Sequence, residues 1–131
     1  MLSNSRISAV IPVTDLARAR QFYEGVLGLT VLREILEQGT VIYHSAGTYL
    51  TIYQRQTASS GEHTIAAFEL EGDFDAVIDR LSARGVTFDT FEIPGVDLPW
   101  DDRGVLKDGN RSSAWFKDPD GNVLAIGKGG L

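Results

Sequence analysis

Apolar and polar residues in the first half of the chain repeat with two different periods. Residues 7–13 are mainly apolar, which is typical of a buried strand, and the dipeptide Thr14-Asp15 then offers N-cap side chains for a helix. The next apolar residues recur at helical spacing, and Gly28 follows as a terminator: Leu16, Ala19, Phe22, Tyr23, Val26 and Leu27. We then predict three strands separated by two turns, at residues 29–37, 40–44 and 49–54. The predicted order is βαβββ.

The second half repeats this order after a small, polar linker at residues 57–61. A strand at residues 64–70 leads to the N-cap residue Asp73 and to a helix that ends before Gly85. Three further strands are predicted, at residues 88–93, 113–117 and 123–126. The last two flank the turn Asp118-Pro119-Asp120-Gly121, in which proline fixes φ and glycine accepts a positive φ.

Sequence offsets identify the two halves as a duplicated unit. Gly28 and Gly85, which each end a strand and a helix, are 57 positions apart, and the same offset aligns residues 9–13 with 66–70. A second offset, of 74, aligns residues 47–52 with 121–126, so the second half carries an insertion, at residues 94–110. We therefore predict a single domain, residues 1–131, made of repeat units at about 6–55 and 63–128.

Composition narrows the possible function classes. With 131 residues, 43% hydrophobic and 23% charged, the chain has the make-up of one globular domain, and its apolar runs are too short to span a membrane. The absence of cysteine excludes disulfides, thiolate zinc sites and cysteine nucleophiles. A net charge of −6 argues against non-specific nucleic-acid binding and fits cationic or neutral small ligands, although solubility alone also accounts for it. The N-terminus shows no secretory signal, so we expect a cytoplasmic protein without membrane or nucleic-acid partners.

Three phrases of the sequence resemble those of the vicinal oxygen chelate superfamily, which includes glyoxalase I, bleomycin-resistance proteins and extradiol dioxygenases. They are VIPVTDL at residues 10–16, FYEGVLGL at 22–29 and WFKDPDGNV at 115–123. The pattern is most similar to that of metal-free bleomycin-resistance proteins. The resemblance implies an α+β fold in which two βαβββ units form curved mixed sheets around a cleft, with the helices outside. Such scaffolds carry metal enzymes, metal-free enzymes and binding proteins, so the fold alone does not determine the activity.

Strand alternation then sorts the side chains onto two faces. One face is uniformly apolar and should pack under the helices: Ala9, Ile11, Val13, Leu50, Ile52, Ala66, Phe68, Leu70, Leu124 and Ile126. The other face mixes apolar and polar groups, as ligand cavities do. From it, and from the insertion, we predict these ligand-binding residues: Ser8, Tyr49, Thr51, Tyr53, Ile65, Glu69, Ala125 and Trp100.

The resemblance also identifies where a metal would be bound. Metal-dependent members of the family place histidine, glutamine or glutamate at four cleft positions, which correspond here to Ser8, Thr51, Ile65 and Ala125. The internal offsets relate the same positions in pairs, Ser8 to Ile65 and Thr51 to Ala125. Two neutral hydroxyls and two hydrocarbon side chains are poor ligands for a divalent cation. We predict no metal site and no cofactor.

Three residues are candidates for acid–base catalysis. Glu69 lies between apolar neighbours and should point into the cleft, as a general base, as a counter-ion for a cationic ligand, or as a rim residue in water. His63, near the linker, and His44, at a strand end, are expected to be structural or solvated, although either imidazole is able to transfer protons near neutral pH. We expect His44 to lie away from the other two.

Aromatic residues supply the candidate ligand contacts. Tyr49 and Tyr53 offer stacking faces and hydroxyl groups, or simply the bulk that strands favour. Trp100 lies in the long insertion beside Asp97, Asp101 and Asp102, so we expect it to close over the cleft as a lid or to pack into a partner chain. Trp115 lies within a strand and is interpreted as a packing residue.

The leading hypothesis is a metal-free small-molecule binding protein of the bleomycin-resistance type, which sequesters a planar or cationic compound such as an antibiotic. The rival is an enzyme that uses the same cleft without a metal, as an isomerase, lyase or cyclase, or as a glyoxalase-like lyase. A third hypothesis is a cleft that binds no ligand and serves partner interaction. Because curved sheets leave exposed edges, we also expect a homodimer that shares its cleft between both chains.

Overall fold

The computed structural model describes residues 1–129, so the last two residues of the predicted domain of residues 1–131 lie outside the described range. The chain forms two compact units. The first comprises Met1–Ser60 together with Asp118–Asn122, and the second comprises Gly61–Lys117 and the chain from Val123 onward. Each contains one four-stranded mixed sheet, which confirms the predicted α+β class. Among residues 1–129, no helix has the length and apolar character needed to cross a membrane.

The first unit follows the predicted βαβββ order. Its strands are β1 (Ser8–Val13), β2 (Thr30–Ile35), β3 (Thr40–Ser45) and β4 (Thr48–Gln54), and a short 3-10 turn, Leu36–Gln38, separates β2 from β3. Helix α1 (Leu16–Arg20) continues as a π-helical segment, Gln21–Val26. The carboxylate of Asp15 caps α1 by accepting a hydrogen bond from the backbone N–H of Arg18 at 3.1 Å. The sheet order is β1-β4-β3-β2, with β1 parallel to β4 and the other pairs antiparallel.

The core of the first unit lies between the helix and one face of this sheet. Ile11, Val13 and Ile52 are fully buried there, as strand alternation predicts, and Leu50 is buried beside them. Two tyrosines, Tyr23 of the helix and Tyr43 of β3, are fully buried, with ring centroids 6.2 Å apart. Burial of these apolar surfaces is the main stabilising term for the unit.

A buried carboxylate organises the turn that belongs to this unit. Asp118 accepts hydrogen bonds from the hydroxyl of Tyr23 at 2.8 Å, from the backbone N–H groups of Asp120 and Asn122 at 2.9 Å each, and from Nδ2 of Asn122 at 2.8 Å. Asn122 is itself fully buried and also donates to the carbonyl of Pro12 at 2.8 Å. The predicted turn is confirmed, and its first residue, Asp118, belongs to the core, because these four donors satisfy a carboxylate that would otherwise be costly to bury.

A second polar network lies on the helix side of the first sheet. Arg20 pairs with Glu24 at 2.7 Å and with Glu34 at 3.1 Å, and the hydroxyl of Tyr43 donates to Glu24 at 2.8 Å. The hydrogen bond from Arg20 lowers the pKa of Glu24. Burial, reinforced by the neighbouring carboxylates, raises the pKa of Tyr23 and of Tyr43, so both hydroxyls remain protonated donors.

The second unit contains β5 (Thr64–Glu69), α2 (Phe74–Ala83), β6 (Leu106–Asp108), β7 (Arg111–Lys117) and β8 (Val123–Lys128). Its sheet order is β5-β8-β7-β6, the counterpart of the first sheet. Asp73 caps α2 by accepting from the backbone N–H of Ala76 at 3.1 Å. Helix residues Phe74, Ile78 and Leu81 are buried, as are Phe116, Leu124 and Ile126 of the sheet.

The predicted strand at residues 88–93 is wrong. This segment makes only isolated bridges, Asp89 to Trp115 and Ile93 to Val96, and the second strand of the unit is β6, inside the predicted insertion at residues 94–110. Residue Gly95, with φ of 79°, turns the chain back on itself so that Val96 N–H bonds to the Ile93 carbonyl at 3.0 Å. The apolar residues that suggested a strand are used instead for aromatic packing.

The rest of the insertion is fixed by charge pairing. Asp101 accepts hydrogen bonds from the backbone N–H groups of Arg103 and Val105 at 2.9 Å each, and the Arg103 guanidinium pairs with Asp101 at 3.0 Å and with Asp75 of α2 at 2.7 Å. Burial alone would raise the pKa of Asp101, but these hydrogen bonds outweigh it and lower the pKa. Gly104 has φ of 84° and approaches the Phe88 carbonyl so closely that a Cβ would lie 3.0 Å from it. This part of the insertion is therefore ordered.

Tyr23→Phe should lower the free energy of unfolding by about 1–3 kcal/mol, because it removes one of four donors from a buried carboxylate. The matched control is Tyr49→Phe, at a half-buried tyrosine on the other face of the sheet. Urea denaturation of both variants measures the difference. Equal stability of the two variants would contradict a structural role for the Tyr23 hydroxyl.

Candidate functional site

The face of the first sheet opposite the helix carries four of the predicted site residues. The register pairs Ser8 with Tyr49 and Val10 with Thr51, and Tyr53 follows on the same side of β4. Their side chains are exposed or half-buried, whereas four residues at alternate positions of the same strands are buried: Ile11, Val13, Leu50 and Ile52. The structure thus brings Ser8, Tyr49, Thr51 and Tyr53 together on one open face.

His44 also lies on this open face. It pairs with Tyr49 in the antiparallel ladder between β3 and β4, so the two side chains project on the same side of the sheet. The sequence indicated only a strand end beside a turn. His44 is exposed, and it stands next to a predicted ligand-binding residue of its own unit.

Arginine side chains cover both tyrosines of the open face. The guanidinium carbon of Arg6 lies 5.2 Å from the ring centroid of Tyr49, and that of Arg55 lies 4.1 Å from the ring centroid of Tyr53. Such cation–π contacts hold the guanidinium over the ring. Nη1 of Arg55 also donates to the Gln54 carbonyl at 2.7 Å, and the other N–H groups of Arg55 remain able to bind an anion. Sequence reasoning missed both arginines, although Arg55 lies two residues after Tyr53 and so on the same side of the extended chain.

The open face of the second sheet is dominated by Trp115. Its cross-strand neighbours are Ala125 of β8 and, beyond it, Ala67 of β5. Ile65 is half-buried at an irregularity in the pairing of β5 with β8, and His63 is exposed just before β5. Trp115 was interpreted as a packing residue, but the alternation of β7 places it on the same face as the predicted ligand-binding residue Ala125.

Phe91, Trp100 and Trp115 form an aromatic cluster on this unit. Their ring centroids are 5.0–5.8 Å apart, and all three pairs meet edge to face. The indole N–H of Trp100 donates to the Phe91 carbonyl at 3.2 Å, which fixes the ring against the loop. The predicted lid residue Trp100 is therefore packed against the sheet of its own unit, and Phe91 was not predicted at all because its segment was interpreted as a strand.

The loop next to the cluster encloses a pocket of about 660 Å³, lined by residues 91–98 and Trp100. Ile93 and Val96 remain 46% and 54% exposed at its edge, which is high for aliphatic side chains. Asp101, which follows Trp100 in sequence, forms an ion pair with Arg103 and accepts a hydrogen bond from the backbone N–H of Val105. The pocket wall combines apolar and aromatic residues with the acidic residues Glu92 and Asp97.

Glu69 is held in an ion pair. Its Oε1 lies 3.5 Å from Nη1 of Arg111, and the side chains of both residues pass over Gly127, where a Cβ would lie 2.7 Å from the Arg111 guanidinium and 3.0 Å from the Glu69 carboxylate. The charge of Glu69 is thus matched within the second unit. Arg111 was not identified from the sequence, because it lies at the end of the predicted insertion.

A family model for the glyoxalase/bleomycin resistance protein/dioxygenase superfamily matches residues 6–126. The chain belongs to this superfamily. Among curated proteins, none matches the chain significantly.

Solved structures of the superfamily include both binding proteins and enzymes. An antibiotic binding protein from Streptomyces sp. CB03234 is 24% identical, with a TM-score of 0.71 and 99% of both chains covered. A glyoxalase/bleomycin resistance protein from the same strain is 26% identical, with a TM-score of 0.63 and 93% of this chain and 98% of that chain covered. A lactoylglutathione lyase from Agrobacterium tumefaciens is 19% identical, with a TM-score of 0.64 and 96% and 94% covered. At these identities the likeness establishes the fold and leaves the activity open.

The residues at the metal positions of the superfamily do not fit a divalent cation. Ser8 and Thr51 of the first unit offer only neutral hydroxyls, and Ile65 and Ala125 of the second unit offer no donor atom. Among residues 1–129, no three histidine, cysteine, aspartate or glutamate side chains form a group suited to a metal ion.

The cluster predicts a spectroscopic signature. Two indoles 5.8 Å apart and inclined at 73° should couple, so the far-ultraviolet circular dichroism spectrum should contain an exciton couplet. Trp100→Phe and Trp115→Phe should each abolish the couplet, since either change removes one of the two chromophores. Tyr53→Phe, in the first unit, is the control that retains it. If the two substitutions instead remove independent contributions to the circular dichroism spectrum, and these add up to the parent signal, the rings are not in contact.

Proposed function

We propose that this superfamily member is a metal-free small-molecule binding protein that sequesters a planar compound, such as an antibiotic, on the open faces of its sheets. The predicted binding residues are those of the sequence analysis, with Trp115 and Phe91 added. Binding alone requires complementary surface, and it does not require the metal ligands that the chain lacks at the superfamily positions.

The observation that carries this proposal is the surface around Trp115. Its indole lies in one row with Ala125 and Ala67, whose small side chains leave space beside the ring. Phe91 and Trp100 stand edge-on to the same indole. A flat apolar surface bounded by aromatic edges complements a planar ring system, because aromatic rings favour offset-stacked and edge-to-face contacts.

The relatives support the same choice. The antibiotic binding protein from Streptomyces aligns with this chain over 99% of both lengths. That protein is an antibiotic binding protein on the same fold. We therefore take planar antibiotics as the first ligand class to test on this chain.

We rank the rival hypothesis, metal-independent catalysis, second. Glu69 was the best candidate for a general base, and its carboxylate is engaged by Arg111. His44 and His63 are exposed, which does not provide the dehydrated surroundings in which acid–base groups work best. Binding without turnover is the function that we propose, and a cytoplasmic homodimer remains our expectation for its assembly and location.

Trp100→Ala should weaken binding of pyrenemethanol, a neutral planar probe, by about 1–3 kcal/mol, because it removes one edge of the aromatic surface. Trp100→Phe is the matched control and should retain most of the affinity. Isothermal titration calorimetry measures both, and mass spectrometry of the recovered probe should show it chemically unchanged. Parent-like affinity of the alanine variant, or a modified probe, would contradict the proposal.

Purified protein should contain well under one equivalent of zinc, nickel, manganese or iron, because the four superfamily positions provide no imidazole and no carboxylate. Elemental analysis after dialysis measures the content, and chelator treatment should leave the affinity for pyrenemethanol unchanged. Stoichiometric metal, together with loss of binding on its removal, would instead indicate a metalloprotein with ligands outside those positions.

A further inference from the structure

The open face of the first sheet carries no acidic side chain, although the net charge of the chain is −6. Every position that the register places on this face of β1 to β4 holds an apolar, hydroxyl, imidazole, phenol or guanidinium group. The one carboxylate of the four strands, Glu34 of β2, is on the helix side, where it pairs with Arg20. The face therefore differs in charge from the chain as a whole.

Three arginines belong to this face. Arg6 and Arg55 lie over the rings of Tyr49 and Tyr53, and Arg33 pairs with Ile42 in the ladder between β2 and β3. None of the three is in an ion pair within residues 1–129.

Four other arginines of the chain are neutralised. Arg18 pairs with Asp120, Arg20 with Glu24 and Glu34, Arg103 with Asp75 and Asp101, and Arg111 with Glu69. The contrast shows that the acidic residues of the chain are concentrated elsewhere, and that the open face keeps guanidinium groups without a carboxylate partner.

We propose that this face binds planar organic anions, with the ring system on Tyr49 and Tyr53 and the acidic group on the guanidinium of Arg6 or Arg55. The inference rests on the proposed function, applies it to the open face of the first sheet rather than to the surface around Trp115, and adds the charge of the ligand. It also replaces the cationic ligand expected from net charge, because a cation placed here would meet like charge. Carboxylate, sulfonate and phosphate groups share the required chemistry, since each accepts paired N–H donors from a guanidinium.

The spacing of the tyrosines fits a planar ligand. Four residues of extended strand separate Tyr49 from Tyr53 by about 13 Å, so an extended ring system reaches both and a compact one reaches either ring with its arginine. Thr51 lies between them on the same side and offers a hydroxyl, and the imidazole of His44 stands beside Tyr49. The site thus combines aromatic surface with hydrogen-bond donors, and it contains no negatively charged side chain.

A charge series on one ring system tests the inference: pyrenecarboxylate, pyrenemethanol and pyrenemethylammonium. Calorimetry with the full chain should give the highest affinity for the carboxylate and the lowest for the ammonium compound. Added salt should narrow the difference, because exposed charges are screened.

Substitutions then assign the effect to the arginines. The double variant Arg6→Gln, Arg55→Gln should lose roughly tenfold or more in affinity for pyrenecarboxylate, the factor expected for a charge-assisted hydrogen bond, and should bind pyrenemethanol nearly as the parent does. The double variant Arg6→Lys, Arg55→Lys keeps the charge and should restore part of the preference. Arg80→Gln, on the exposed part of α2, is the control for a general change in charge.

The outcomes separate this inference from the proposed function. If none of the three probes binds, the proposed function fails, and this inference fails with it. If they bind equally, or the ammonium compound binds best, binding stands and the inference about charge is overturned. If the glutamine variant loses self-association by sedimentation while its affinity for pyrenecarboxylate is unchanged, the face is a contact between copies of this chain and the inference is also overturned.

Discussion

One carboxylate, removed from water, determines how the first unit is built. Asp118 is 5% exposed, and its carboxylate accepts a hydrogen bond from Tyr23, 95 positions earlier in the chain. Its other donors follow it directly: the backbone N–H groups of Asp120 and Asn122 and the side-chain amide of Asn122. An uncompensated carboxylate at this depth would be costly, so the turn and the helix are needed together. The first unit therefore lacks part of its core until the chain has passed through β7, and its folding depends on contacts that are distant in sequence.

The need to pair buried charge also explains how the two faces of the first sheet differ. On the helix side, Glu24 and Glu34 are matched by Arg20 and by the Tyr43 hydroxyl, which permits their partial burial. On the opposite side, the arginines contact aromatic rings and no carboxylate. The protein separates paired from unpaired charge across the thickness of one sheet, and a net charge summed over the chain does not describe either surface.

Much of the architecture was predictable from the sequence because the period of apolar residues changes where the elements change. The alternation in residues 9–13 and 49–54 correctly identified the buried side of the first sheet, and Asp15 and Asp73 were correctly assigned as caps. The prediction of a strand at residues 88–93 was wrong for a physical reason. Phenylalanine and isoleucine favour strands on average, but here their side chains pack without a partner strand.

The site residues were predictable only where alternation alone decided them. It correctly placed Tyr49, Thr51 and Tyr53 on one face, and it would also have placed Trp115 beside Ala125 had the strand register been known. Alternation does not predict ion pairs between residues that are distant in sequence. Arg111, which engages Glu69, is separated from it by 42 positions and lies between the predicted insertion and the predicted strand at residues 113–117.

The ion pair between Glu69 and Arg111 depends on the absence of a side chain at Gly127. Gly127 sits in a strand and has no unusual φ, so the backbone itself would accept alanine, but the new methyl group would collide with the end of the Arg111 side chain. A flexible guanidinium can move aside at little cost, which means that the fold would survive the change while the pairing with Glu69 would not. A single nucleotide substitution can convert a glycine codon to an alanine codon. One nucleotide substitution therefore separates this sheet from one that carries the same charges with Glu69 and Arg111 no longer paired, on the same scaffold.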